Sequence, residues 1–204
     1  MTNTEFDRAL IDAAFARIAA SGWAGFSPAA VAREAGLDLA RTRTRMPDRS
    51  ALLCRFGSLA DQAAVTGVMV DAPARDALFD MLMRRIDVLQ AHRAGVLALM
   101  KAVPFDPPAA VLLAATSLRS MAFLLSAAGV ESGLLTPLRA QGLFAVWLWT
   151  VRAWQRDETD DLAPTMAALD QALTRAEMAE SWLKGRRATP ITPDVPAADP
   201  IPPG

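Results

Sequence analysis

The chain has no tyrosine, one histidine and one cysteine among its 204 residues, and each shortage closes off a class of chemistry. A lone Cys54 excludes an intramolecular disulfide and a cysteine-based zinc site, points to a reducing compartment, and reads as a small core residue. With His92 the only imidazole and no serine in a nucleophile-elbow pattern, a serine triad has little to draw on; His92, near a helix end, reads as a capping or surface residue. No glycine-rich phosphate loop occurs. The carboxylates Asp157, Glu158, Asp160 and Asp161 cluster without the glycine and ligand spacing of a calcium loop, so a solvated interhelical loop is expected there. Neither catalysis nor a metal or organic cofactor is expected. Sustained strand alternation is missing too. Helical periodicity runs through almost every segment, and the expected class is all-α.

An excess of charge is also lacking, since the net formal charge is −1. That argues against nonspecific coating of nucleic acid, but the average hides a division. Residues 1–60 carry eight arginines against six carboxylates, net +2, which leaves −3 for the rest. A mildly basic head on an acidic body is compatible with focal DNA contact. Residues 1–25 contain no continuous apolar run, so no signal peptide is expected and the cytoplasm is the expected location. One long apolar run, residues 109–130, has Arg119 at its middle. A central arginine costs roughly 2.5 to 3.5 kcal/mol in a membrane, so a buried helix of a soluble bundle is expected rather than a transmembrane segment.

What the chain does have is a patterned stretch at residues 27–49, SPAAVAREAGLDLARTRTRMPDR. Ser27 can cap a helix and Pro28 suits its first position. Gly36 ends that helix, Asp38 caps a second, and Pro47 stops the second at Met46. Two short helices on a tight glycine joint have the outline of a helix-turn-helix. Helical spacing puts Leu39, Thr42 and Met46 on one face of the second helix, with Ala40, Arg41, Thr44 and Arg45 opposite and Arg43 on the boundary. Arginine can grip guanine edges or phosphates bidentately, while short Ala and Thr side chains permit close approach to a groove. Ser27, Arg41, Arg43, Thr44 and Arg45 are therefore the expected DNA contacts, with Arg41, Thr44 and Arg45 toward the major groove and Arg43 nearer phosphate.

Around this motif, residues 4–20 form a first helix that buries Phe6, Leu10, Phe15 and Ile18, and Asp48 caps a fourth that reaches toward residue 70. Breaks near residues 71–73, 92, 104–108, 129–133 and 157–161 separate the helices of a body. The expected division is a DNA-binding head over residues 1–48, a ligand-binding and dimerisation body over 49–183, and an unstructured proline-rich tail over 184–204.

This order of elements resembles the TetR family of transcriptional regulators, most closely across residues 8–60. Met46-Pro47-Asp48-Arg49-Ser50-Ala51-Leu52 follows the family outline of an aromatic-Pro pair, a polar cap and Ala-Leu. Met46 stands where the family usually has an aromatic, Arg43 where it has a backbone-contacting aromatic, and Thr42 where it has an aliphatic core residue. The body is similar to the COQ9 family of ubiquinone-biosynthesis accessory proteins, through residues 84–89, 95–100, 104–108 and the segment from Trp147 to Leu169. The first resemblance implies a homodimer that binds a pseudo-palindromic double-stranded operator and responds to a hydrophobic small molecule. The second implies an isoprenoid-lipid carrier without DNA binding.

Either way the body needs an apolar cavity. Met81, Met100, Met121, Phe123, Trp147 and Trp154 are candidates to line one, or else to form ordinary core. Arg119 needs a partner, either a body carboxylate such as Asp87 or an anionic ligand group. The last two helices carry apolar stripes, Leu143, Trp147 and Val151 on one and Leu162, Met166, Leu169 and Leu173 on the other. Trp149 is the candidate for an outward dimer face.

Overall fold

The computed structural model describes residues 1–68, 72–130 and 133–187. Its first helix, α1 (Asn3–Ser21), begins in a capping box: the Thr2 hydroxyl accepts from the Glu5 amide at 3.2 Å and the Glu5 carboxylate accepts from the Thr2 amide at 2.6 Å. Its inward face buries Phe6, Leu10, Phe15 and Ile18. Next come α2 (Pro28–Glu34) and α3 (Leu39–Arg45), which complete a three-helix head, then α4 (Arg49–Val65). The body continues with α5 (Ala74–Ala91), α6 (Arg93–Ala102), a 3-10 turn at Val103–Phe105, α7 (Pro107–Ala127), α8 (Thr136–Trp154) and α9 (Ala163–Arg187). No strand occurs among the described residues, so the all-α expectation holds.

Two boundaries differ from the sequence reading. The fourth helix stops at Val65, because Thr66 leaves helical geometry and Gly67 takes φ +70°. The last helix continues through Lys184 to Arg187, four residues into the stretch expected to be unstructured. The rest of that proline-rich stretch, residues 188–204, lies outside the described residues, as does Asp71.

In the loop between α8 and α9, Glu158, Asp160 and Asp161 are exposed as expected, but Asp157 is not. Asp157 is only 4% exposed. Its carboxylate accepts from the Thr159 amide at 3.0 Å and hydroxyl at 2.6 Å, and from the Thr165 amide at 2.9 Å and hydroxyl at 2.6 Å. Burial pushes the Asp157 pKa upward, but these four donors outweigh it and hold the group at about 2. The Asp157 carbonyl also accepts from Arg93 at 2.7 Å, so the loop ties the start of α9 to α6. Asp157→Ala should cost about 3 kcal/mol, because two hydroxyls and two amides lose a charged acceptor. For a chain of this size that is a drop of about 6 to 12 °C in melting temperature, readable by circular dichroism. The contribution is present above the unfolded carboxylate pKa of about 3.9 and disappears as pH falls through the folded value, so acid should close the gap between variant and parent.

In the body, α7 packs against α4 and α8, and α8 against α9. The helix α7 is long and apolar enough to cross a membrane by length and composition alone, and only 28% of its apolar window is buried. Arg119 accordingly does not sit inside a bundle. It is exposed on the open side of α7, without the expected Asp87 ion pair, because that helix buries one face only.

Candidate nucleic-acid interface and ligand cavity

The joint between α2 and α3 is built as its sequence implies. Gly36 takes φ +63°, the Leu37 amide donates to the Ala32 carbonyl at 2.8 Å and the Gly36 amide to Arg33 at 3.4 Å, closing the helix end in a Schellman turn. Asp38 then caps α3 by accepting from the Arg41 amide at 2.6 Å, and Asp48 caps α4 by accepting from Ala51 at 2.9 Å. Ser27 stands at the cap position of α2, but its hydroxyl makes no capping bond. Pro28 already satisfies the first helical position by having no N-H.

The orientation of α3 differs from the helical-wheel reading. Thr42 and Met46 are buried, but Leu39, assigned to the same inward face, is 49% exposed. Thr42 is tolerated in the core because its hydroxyl donates to the Asp38 carbonyl at 2.8 Å. Arg41 and Arg45 are half-buried against α1 rather than directed outward. The Arg41 guanidinium lies 4.3 Å from the Phe6 ring centre. It also donates to the Met1 and Thr2 carbonyls at 3.3 and 2.9 Å and to Asn3 Oδ1 at 2.7 Å. Arg45 grips Asp7 bidentately, its Nε at 2.7 Å from Oδ1 and its Nη2 on Oδ2. Arg55 of α4 joins them, donating to Asp7 Oδ2 at 3.1 Å and to the Arg45 carbonyl. The Arg45 hydrogen bond, aided by the charges of Arg55 and Arg41, holds the Asp7 carboxyl below its ordinary range against a smaller opposing effect of burial. Asp7 thus locks the end of α3 to both α1 and α4.

The surface of α3 that remains open is Leu39, Ala40, Arg43 and Thr44. Arg43 is exposed and donates to the Pro47 carbonyl at 3.1 Å, and the Thr44 hydroxyl donates to Ala40 at 3.1 Å. Of the five residues singled out from sequence, Arg43 and Thr44 lie on this open face, Ser27 is half-buried at the start of α2, and Arg41 and Arg45 brace the helix.

The head is joined to the body along α1. A Cβ on Gly95 of α6 would overlap the Phe15 carbonyl oxygen and lie 3.0 Å from Phe15 Cα, so only glycine lets the two helices pack this closely. Phe15 also meets Phe56 of α4, ring centres 4.4 Å apart, and His92 at 5.2 Å. His92 lies 3.6 Å from Asp12, and its pKa is lowered by burial, partly offset by that carboxylate. A second tie runs from Trp23 Nε1 to Asp106 Oδ2 at 2.8 Å, and the other oxygen of Asp106 caps α7.

Within the body lies a cavity of about 660 Å³, walled by α4, α5, α6, α7 and α8. Drug-sized ligands occupy pockets of roughly 300 to 1,000 Å³. Four of the sequence candidates reach it: Met100, Arg119, Phe123 and Trp147. Met81, Met121 and Trp154 do not. Each is fully buried in the core, and Trp154 Nε1 donates to Gln90 at 2.8 Å. Cys54, expected in the core, is exposed at the cavity wall.

Sequence reasoning missed the polar part of this cavity. Arg85, 4% exposed, pairs through Nη1 with Asp61 of α4, and Asp61 Oδ2 accepts from Ser120 of α7 at 2.6 Å. The guanidinium lies 4.9 Å from the Trp147 ring centre. Desolvation lowers its pKa to about 10, so it stays charged at neutral pH. Arg119 drew attention because it interrupts an apolar run, whereas Arg85 sits in an ordinary mixed stretch beside Arg84 and near Asp87.

Of the apolar stripes on the last two helices, Leu143, Trp147 and Val151 of α8 and Leu162, Leu169 and Leu173 are buried. Met166, expected among them, is 36% exposed, and Leu138, Trp149 and Met178 are exposed as well. The Arg175 guanidinium stands 5.8 Å from the Trp149 ring centre, so α8 and α9 meet at this exposed pair.

No protein-family model matches the chain, and no curated protein matches it by sequence. Solved structures do. A TetR transcriptional regulator from Nitrosomonas europaea is similar over 84% of this chain and 98% of its own, with a TM-score of 0.66 at 18% identity. TetR-family regulators from a Rhodococcus species and from Mesorhizobium loti follow, with TM-scores of 0.58 and 0.52 at 20% and 19% identity. They cover 85% and 88% of this chain and 98% of their own length in both cases. In its head, its connecting helix and its helical body, this chain has the fold of the TetR-family transcriptional regulators.

Proposed function

We propose that this protein is a homodimeric, ligand-responsive transcriptional regulator that reads double-stranded DNA with α3. The observation that carries the reading is the open face of α3. Leu39, Ala40, Arg43 and Thr44 project from a helix whose own position is fixed by Asp7, leaving one arginine, one leucine and two small side chains for a groove. The sequence-based choice of contacts is thereby narrowed. Arg43 and Thr44 touch DNA, Ser27 offers its hydroxyl to a phosphate, and Arg41 and Arg45 set the angle of the helix.

Two copies paired through the outer surface of α8 and α9, centred on Trp149, present two such helices to a pseudo-palindromic operator. A hydrophobic effector in the cavity bears on α4 and α6, and α6 meets α1 at Gly95 without intervening side-chain atoms. A shift of α6 is therefore passed to the head, altering the separation of the two reading helices and weakening the operator complex. The test is selection of bound duplexes from a random pool, which should enrich one two-fold symmetric sequence. The lipid-carrier alternative predicts instead a stoichiometric isoprenoid in the solvent extract of the purified protein, and no enriched duplex.

A further inference from the structure

Arg85 is buried, charged and only partly satisfied. Of its guanidinium nitrogens only Nη1 has a hydrogen-bond partner among the described residues, the carboxylate of Asp61. Its Nε is buried without any partner. A buried N-H left unpaired is costly, and the surrounding wall is mostly apolar, with Leu89, Val96 and Leu113 among its residues. The two ions already balance one another. Asp61 is further engaged by Ser120, so the cluster has a surplus of donors rather than of positive charge.

We infer that the cavity takes an uncharged, largely apolar molecule with one oxygen acceptor, a carbonyl or ether, which docks against Arg85 Nη2, the guanidinium nitrogen that is neither paired nor sealed from the cavity, over the Trp147 ring. The inference rests on the regulator reading above and names the chemical class of its effector. A carboxylate is disfavoured at this point because it would bring a second negative charge beside Asp61 in a desolvated site, while the other cation of the cavity wall, Arg119, is exposed on α7 where water screens its charge. A pure hydrocarbon fills the volume but leaves the guanidinium donors unpaired. Discrimination of this type, through buried donors that only the right ligand satisfies, is stronger than selection by shape alone.

The test compares three nearly isosteric probes by isothermal calorimetry: 2-acetylnaphthalene, 2-ethylnaphthalene and 2-naphthoate. The ketone should bind at least about 10-fold tighter than either of the others, the range of a hydrogen bond to a charged group. In Arg85→Lys, which keeps a cation beside Asp61 but removes Nη2, the preference for ketone over hydrocarbon should fall to within about twofold. The paired replacement Arg85→Met with Asp61→Leu should do the same and leaves no unpaired ion. Equal binding of ketone and hydrocarbon by the parent protein, tightest binding of the carboxylate, or no binding of any probe would each overturn the inference. Duplex selection with the unliganded protein fails or succeeds independently, so failure of the regulator reading is distinguishable from failure here.

Discussion

Arg43→Ala combined with Thr44→Ala should reduce affinity for a selected duplex by at least about 100-fold while leaving the melting temperature unchanged. A well-placed arginine contact is worth about 1 to 3 kcal/mol, and a two-fold symmetric dimer loses it twice. Both side chains are exposed, and their hydrogen bonds run only to carbonyls of α3 and the adjoining Pro47, so the fold does not depend on them. Arg45→Ala supplies the contrast. It should also weaken binding, but together with a measurable drop in melting temperature, because it strips Asp7 of its bidentate partner and frees the end of α3. Fluorescence polarisation beside thermal unfolding separates the two behaviours. A direct contact moves only the first reading, a bracing residue moves both.

The second large effect is at Gly95. Gly95→Val should destabilise the chain by about 3 kcal/mol or more, because its Cβ collides with backbone of α1 rather than with a side chain that can turn away. Helix α6 must then retreat from Phe15, and the contact proposed to carry the cavity's state to the head is lost. Where Gly95→Ala still folds, a ligand that releases DNA from the parent protein should bind the variant yet change its duplex affinity by less than about twofold. Retained ligand response in that variant would direct the coupling through α4 or through the Trp23 to Asp106 bond instead.

Local chemistry was legible in the sequence. Gly36, Asp38, Pro47 and Asp48 each act on backbone within a few residues, and all four sit where the helix-turn-helix outline puts them. The direction of each α3 arginine was not legible, because helical spacing fixes neighbours within a helix but not its rotation against the head. That rotation is set by Phe6, Asp7 and the carbonyls of Met1 and Thr2, nearly forty residues upstream. The same limit hid the polar cluster of the cavity. Asp61 and Arg85 lie on different helices with no common period, and only the crossing of α4 and α5 joins them. Arg119 misled for the opposite reason. Its apolar surroundings in the sequence imply burial only if the helix is covered on all sides, and α7 is covered on one.

The Asp157 loop follows the same logic. Four neighbouring carboxylates read as a solvated acidic turn, but one of them points inward and collects two donors from Thr159 of the loop and two from Thr165 at the start of α9. Composition cannot tell the inward carboxylate from its neighbours, since the difference lies in the Thr165 amide and hydroxyl, eight residues away.

Selection from a random duplex pool at near-physiological salt tests the central claim most directly. A regulator reading DNA with paired α3 helices predicts enrichment of a two-fold symmetric sequence whose half-sites are spaced to lie on one face of the duplex, with enrichment lost in Arg43→Ala/Thr44→Ala. A pool that remains unenriched after repeated rounds, with the protein folded throughout, would contradict it.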